Sequence, residues 1–525
     1  MQNNIAQFTG ALRRHQRRIS ISIFLALSLF LALGGSAALA QDAGEAADAG
    51  PPLCRFGVNV NQAHDEPGIE AFDTATLRLG WYIDYRAQTA PARPQGMDYA
   101  PVIRLSQVGA DGYETAPSGQ ALDDAILALK GQRMRWYVGN EPDRIQWQDD
   151  IMPAVYAKAY HELRERIKAL DPSAQVVAGS IVQATEVRMK YLDLILAAHQ
   201  QQYGEPMTVD AWAIHGFVLR EASCQYYPPQ ECWGADIPPG VDDHEGLLIG
   251  VQQNDDFDIF KANVIRMRQW MADNGYRNTP LYLSEYGVLM PSGLFNPDFT
   301  PERVNAFMTK SFDFLLTEGV DDQTGYPLDS NRLVQQLSWY STSDSQDFNG
   351  NLFTLGNSNE VLGLSPMGQN YANYTAQVAD EFDFAPTTFS VESPIVILSQ
   401  GGSQRAVVTI GVTLANGGNN HTPVAAPVRL YNGNPGTSGT PLADGVVQAI
   451  GCGQESLGYV TVPIPWDGVS LDTLPSTLSL YALANPDSVL DETNRDNNGL
   501  AGQVSLEGVQ TVNANARGFL PLVWR

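Results

Sequence analysis

The sequence predicts an α/β chain, a (β/α)8 TIM barrel followed by a small all-β sandwich. Three observations predict it. Eight β-type runs, mostly alternating with helical spacing, occupy residues 55–380. Near Phe384 the helical periodicity vanishes, and short alternating runs between Gly- and Asn-rich turns replace it. Two of the apolar runs, Trp136-Tyr-Val-Gly-Asn-Glu-Pro142 and Leu281-Tyr-Leu-Ser-Glu-Tyr-Gly287, end abruptly in a glutamate. A carboxylate just past a buried strand is either a solvated cap or a group held at the mouth of a parallel sheet, where active sites gather.

The elements follow in order. Phe56–Val60, Thr76–Leu79 and Pro101–Leu105 read as the first three strands. Helical signals between Asn61 and Pro117 are weak. Leu122, Ala125, Ile126 and Leu129 set a helical spacing over 119–130. Arg135–Gly139 is the fourth strand, leading to Glu141. Pro153 opens the next helix, Val155, Ala159, Tyr160, Leu163, Ile167 and Leu170 mark its inner face, and Asp171-Pro172 stops it. Gln175–Ile181 is a strand, 187–202 a helix, and Val209–Phe217 a sixth strand containing His215. An insertion from Leu219 to about Gln253 precedes a helix marked by Phe257, Phe260, Val264, Met267 and Met271. Pro280–Leu283 is the seventh strand, leading to Glu285. Thr300 and Pro301 read as N-cap and first residue of a helix, and Val334–Tyr340 as the eighth strand. Residues 381–389 read as a linker, 390–507 as the sandwich, and 508–525 as a tail whose apolar end is a docking strand or a sorting signal.

Charge and cysteines bound the function. The net charge of −26 excludes nucleic-acid binding, which needs a basic face. Arg13, Arg14, Arg17 and Arg18, the apolar run Ile19–Leu33 and Ala38-Leu39-Ala40 form a signal-peptide pattern over 1–40, followed by a flexible leader over 41–54. The expectation is a secreted or cell-surface bacterial protein with no membrane segment after cleavage. Of the four cysteines, Cys224 and Cys232 flank a short loop and read as a disulfide. Cys54 and Cys452 either bridge the two domains or stay free. None of the four has metal-site spacing, so neither a metal nor an organic cofactor is expected.

Glycoside hydrolysis needs one carboxylic acid to protonate the leaving oxygen and a second carboxylate to attack the anomeric carbon or activate water. Glutamates ending the fourth and seventh strands meet that need. On these residues the chain resembles the clan A glycoside hydrolases, retaining enzymes on a (β/α)8 barrel. The resemblance covers about residues 55–378. It implies that Glu141 is the acid/base and Glu285 the nucleophile. It also implies that Arg78, Asn140, His215 and Trp339 serve the substrate side, with Trp339 flooring a sugar subsite. Two positions depart from the pattern. The third strand has no histidine, and the sixth-strand His-x-Tyr reads His215-Gly216-Phe217, for which Tyr286 or Tyr340 stands as a replacement phenol.

Residues 390–507 resemble the CARDB-type, immunoglobulin-like adhesion modules of bacterial surface proteins. Thr413–Gly418, Pro427–Tyr431 and Asn485–Asn498 carry that likeness. It implies attachment to a polysaccharide or cell surface, or a spacer. Asp487, Asp491, Glu492 and Asp496 are either a calcium site or turn chemistry. The expected function is hydrolysis of a β-linked poly- or oligosaccharide by double displacement. Its rivals are a catalytically inactive carbohydrate-binding barrel and a structural surface protein.

Overall fold

The computed structural model describes residues 50–61, 66–228, 231–344, 348–400, 402–421, 425–448 and 450–515. The signal-peptide pattern, most of the leader and the last ten residues of the tail lie outside them.

The first part of the chain is a mixed α/β unit. Its strands are β1 (Leu53–Asn59), β2 (Leu79–Ile83), β3 (Asp98–Ala100), β4 (Val102–Val108), β5 (Gly112–Ala116), β6 (Arg135–Val138), β7 (Gln175–Ile181), β8 (Ala211–His215), β9 (Leu281–Tyr286) and β10 (Gln336–Trp339). They form one curled ten-strand sheet in the order β3-β2-β1-β10-β9-β8-β7-β6-β4-β5. Neighbours are parallel throughout, except the β4/β5 hairpin. Only Pro101 separates β3, which pairs with β2, from β4, which pairs with β6.

The helices are α1 (Gly119–Ala128), α2 (Pro153–Leu170), α3 (Glu186–Tyr203), α4 (Phe257–Asp273), α5 (Pro301–Asp313) and α6 (Pro366–Thr375). Local chemistry sets their ends. Asp256 caps α4 by accepting from the Asp258 and Ile259 amides, and Thr300 caps α5 by accepting from that of Arg303. Ser365 caps α6 in the same way. Gly204, at φ 76°, closes α3 in the left-handed conformation that glycine adopts without strain.

Strand alternation sorts the apolar residues into two cores. Trp136, Val138, Val176, Trp212, Ile214, Leu281 and Leu283 pack with the helices. Trp81, Ile83, Val102, Tyr137, Val177, Ala213 and Tyr282 fill the concave side. A Cβ at Gly57 would lie 2.4 Å from the Trp81 indole, so only glycine lets that ring occupy the interior.

Several expectations are corrected. The second strand runs Leu79–Ile83, not Thr76–Leu79. Its predecessors 74–78 are turn, because Thr76 is held by Asp73 rather than by a ladder. The weak signals before Pro117 correspond to short 3-10 turns at Ile69–Ala71 and Pro94–Gly96, and to the unforeseen β4/β5 hairpin. A further hairpin, β11 (Phe353–Leu355) with β12 (Val361–Leu364), precedes α6.

The second part is two β-sheets across a shared apolar core. Its strands are β13 (Phe384–Val391), β14 (Ile395–Gln400), β15 (Ser403–Asn416), β16 (Ala426–Tyr431), β17 (Pro441–Val447), β18 (Gln454–Ile464), β19 (Thr477–Ala484), β20 (Gly499–Ser505) and β21 (Thr511–Asn515). One sheet runs β13-β15-β14-β21 with β18 also on β15, and the other β17-β16-β19-β20. Val408, Ile410 and Val412 face Val428, Leu430 and Leu480 in that core. The expected linker therefore belongs to β13, whose backbone pairs with β15, and part of the expected tail is β21, paired with β14. Hydrogen bonds build the turn after β19. Glu492 accepts from the Asn485 and Asn498 side chains and from the Phe384 amide, and Asp487 pairs with Arg429.

The two parts are fastened at the start of β1. Cys54 is bonded to Cys452, and Cys224 to Cys232. Beside the first bridge, buried Arg55 donates to Asp329 at 2.5 and 2.8 Å, to the Gly417 carbonyl at 2.7 Å and to Asn419 at 3.1 Å. Removing one partner of a buried ion pair strands the other charge. Arg55→Ala is therefore expected to destabilise the protein by about 3–5 kcal/mol, read as a lower midpoint in urea denaturation.

Candidate active site

Three buried side chains converge where strands β6, β8 and β9 end. The backbone explains how. Past β6, Gly139 at φ 84° and Glu141 at φ 44° turn the chain, and the Glu141 amide donates to the Ser180 carbonyl of β7 at 3.0 Å. A non-glycine residue held at positive φ is strained, and such strain gathers at functional sites. On β9 the register against β8 slips between the pairs Ile214–Leu283 and His215–Glu285. The slip resets the alternation, so that Glu285 meets His215 while Tyr286 turns out into the helix-side core.

The resulting geometry is tight. His215 Nδ1 lies 3.0 Å from Glu141 Oε1, and His215 Nε2 lies 3.4 Å from Glu285 Oε1. Arg144 Nη1 donates to Glu141 Oε2 at 2.9 Å and Nη2 to the Gly234 carbonyl at 3.3 Å. One oxygen of each glutamate and a nitrogen of His215 fall within 4.8 Å of one another. Among the described residues the Tyr85 hydroxyl, Glu285 Oε1 and His215 Nε2 are buried with no well-formed hydrogen bond beyond the contacts they make with one another. Buried polar atoms so weakly satisfied are costly and suit a site that meets a polar ligand.

Electrostatics divide the two carboxyls. Burial pushes Glu285 up to about 7, with the His215 charge opposing and the Glu141 charge adding. Burial also acts to raise Glu141, but the Arg144 charge and the bond from His215 outweigh it and hold that carboxyl at about 2. Burial acts to lower His215, yet the two carboxylates raise it above its ordinary value. The free protein thus keeps Glu141 ionised and favours a proton on Glu285. The trio has the spacing of a cation site, but the Arg144 guanidinium already neutralises Glu141.

The other expected site residues lie elsewhere. Arg78 precedes β2, at the opposite end of the strand from the glutamates. It donates to the carbonyls of Pro51, Thr375 and Val378 and pairs with Asp380. It lies away from the glutamates because the strand begins after it. Trp339 is fully buried on the helix side, edge-on to Tyr286 at 5.3 Å, with its indole N–H donating to the Gly350 carbonyl. It therefore floors no subsite. The Tyr286 ring stacks on Phe260 and also faces away from the carboxylates. Asn140 adjoins Glu141, but its side chain donates to Gln148 and its backbone amide to Asp149. Asp143 is buried against Arg188, which also holds Glu221 at 2.7 Å.

Two neighbours of the trio, Tyr85 and Arg144, escaped the sequence reading, and a third, Tyr340, was named there. Tyr85 raises its hydroxyl toward Glu285 from just past β2, and only the corrected strand boundary exposes its position. Arg144, three residues after Glu141, is a loop cation with no periodic signal. Tyr340, weighed only as a replacement phenol, donates to Asp344 at 2.5 Å and feels both glutamates.

No protein-family model and no curated protein sequence matches the chain. Among solved structures it is similar to a glucosidase from Croceicoccus marinus, at 10% identity and TM-score 0.40, over 79% of this chain and 98% of that one. It is also similar to a family 51 alpha-L-arabinofuranosidase from Bifidobacterium longum, at 10% identity and TM-score 0.36, over 80% and 97%. The CARDB domain of a Pyrococcus furiosus protein matches 26% of this chain and 92% of its own, at 20% identity and TM-score 0.16. At such low identities and scores, function has to be argued from the side chains of the site.

Two expectations test these placements. Arg78→Ala is expected to lower the melting temperature and leave any turnover unchanged, since Arg78 touches only backbone carbonyls and Asp380. Glu285 is raised, so the stability its neutral form contributes is full below the ordinary 4.5 and is lost as pH rises through about 7. Glu285→Gln is accordingly expected to gain melting temperature relative to wild type as pH is raised across that window.

Proposed function

We propose that the protein is a secreted, retaining glycoside hydrolase of the clan A type, in which the curled sheet is a closed (β/α)8 barrel. In this reading β3 and β4 are halves of one strand on either side of Pro101, and the C-terminal sheets are a CARDB-like, immunoglobulin-like module. The signal-peptide pattern and two disulfides support export. Among the described residues no helix is long and apolar enough to cross a membrane.

One observation carries the activity: two buried glutamates at strand ends with oxygens within 4.8 Å of each other. Inverting enzymes hold their carboxyls about 6.5–9.5 Å apart to admit water, whereas retaining ones use about 5–5.5 Å. In the proposed reaction Glu285 attacks the anomeric carbon while Glu141 protonates the leaving oxygen. Glu141 then deprotonates the incoming water, which releases Glu285.

The ionisation of the free protein is the reverse of what the first step needs. His215 touches both carboxyls, so a proton leaving Glu285 reaches Glu141 through the imidazole as substrate enters. Arg144 must loosen from Glu141 for that transfer to finish. Arg144→Gln is expected to raise the Glu141 pKa. Since a general acid works while protonated, the alkaline limb of kcat/KM moves to higher pH. An unmoved limb would separate Arg144 from the acid.

The deciding experiment incubates processed protein with β-linked oligosaccharides and follows the first-formed anomer by proton NMR. The expected result is a β product from wild type and none from Glu285→Gln at unchanged fold. An α product would overturn the retaining assignment, and equal activity of the variant would overturn the site. A second reading, a sugar-binding barrel without turnover, is favoured by the Arg144–Glu141 pair. It predicts calorimetric binding with no sugar released.

A further inference from the structure

Trp339, the tryptophan at the end of β10, is buried, so a sugar ring beside the glutamates needs another apolar surface. One lies next to His215. Phe217, two residues past it, meets the imidazole edge-on at 6.0 Å and the Tyr340 ring at 6.1 Å. Tyr340 in turn meets Phe348 at 6.1 Å. These rings belong to a small apolar cluster, Val182, Phe217, Leu219, Ala235 and Leu289, against which half-buried Trp233, Met290, Tyr340 and Phe348 pack. The cluster's buried residues belong to neither core of the curled sheet, and Met290 borders both it and the helix-side core.

Trp233 is held from both sides. It directly follows Cys232, which is bonded to Cys224. On its other side Arg144 holds the Gly234 carbonyl, and Arg188 holds those of Ala235 and Asp236 at 2.8 and 3.0 Å. Arg188 is also the partner of Asp143. The loop carrying Glu141 and the insertion carrying Trp233 are thus fixed by one buried guanidinium. The indole of Trp81, by contrast, fills the interior of the curled sheet and is fully buried.

We infer that Trp233, packed on the same apolar cluster as Phe217, Tyr340 and Phe348, is the platform on which a pyranose ring of the substrate stacks next to the catalytic pair. This rests on the glycoside hydrolase reading and deepens it by naming a substrate class. A ring whose hydroxyls are all equatorial presents axial C–H groups on both faces, and such a face suits an aromatic plane. The chain's charge of −26 disfavours a polyanion. The substrate is therefore an uncharged β-linked chain of gluco- or xylo-configured sugars.

The test uses the full processed protein. Binding of cellohexaose, laminarihexaose, xylohexaose and hexagalacturonate to Glu285→Gln is measured by calorimetry, with and without Trp233→Ala or Trp233→Phe, and sugar release by wild type is followed in parallel. The expected result is binding of at least one neutral hexamer and none of hexagalacturonate. Trp233→Ala is expected to weaken that binding about ten-fold or more, and Trp233→Phe to retain most of it, at matching circular dichroism. Unchanged binding by a folded Trp233→Ala, or preference for hexagalacturonate, overturns the platform even if wild type releases sugar. Loss of binding in Trp233→Ala without any release by wild type keeps the platform and overturns the hydrolase. Failure of all four probes to bind overturns the platform. Should Trp233→Ala not fold, weaker binding by a folded Trp233→Leu supports the platform and equal binding overturns it.

Discussion

Two carboxylates buried with oxygens within 4.8 Å of each other repel and lose their hydration, and the centre of this protein depends on how that is resolved. His215 lies between them and Arg144 closes on one of them. The asymmetry matters more than the neutralisation. Only Glu141 has a guanidinium, so the two glutamates separate in acidity although both are buried. Divergent acidities in paired carboxyls are what acid–base chemistry on a sugar requires. In the proposed reaction that direction of divergence assigns the imidazole the transfer of the proton.

The surroundings serve that cluster. The register slip on β9 brings Glu285 inward, and the turn after β6 presents Glu141. Arg188, buried with Asp143 and Glu221, ties the Glu141 loop to the cysteine-bearing insertion. A site assembled from separate loops keeps its geometry only if those loops are fixed to one another. At the other end of the strands, the disulfide from Cys54 to Cys452 and the bonds from Arg55 to the Gly417 carbonyl and Asn419 fix the C-terminal sheets against β1. The second part of the chain is thus seated on the first by a covalent link and a buried charge network, and a free tether is absent among the described residues joining them.

Much of this was legible in the sequence. Helices α2 to α5 and strands β7 and β9 stand out from apolar spacing, from Pro153 and Pro301 at helix starts and from the Thr300 cap, since these are local signals. The Asn-Glu and Ser-Glu strand ends pointed to Glu141 and Glu285, and His215 joined them. Trp339 and Tyr286 lie where a register shift of one residue moves a side chain to the other face, whereas Arg78 was assigned to a strand that begins only after it. The weak second-strand boundary hid Tyr85, and the β9 slip sent Tyr286 outward.

By itself the sequence determined the alternation of strands and helices, the change to an all-β second part, the acidic charge and the two glutamates at strand ends. These follow from spacing, propensity and composition, which act over a few residues. Tertiary structure alone decided that Arg144 meets Glu141, that Trp339 is buried, and that Cys54 finds Cys452. Such contacts join residues that are neighbours only after the chain folds, and register and loop packing, which no local pattern records, set them.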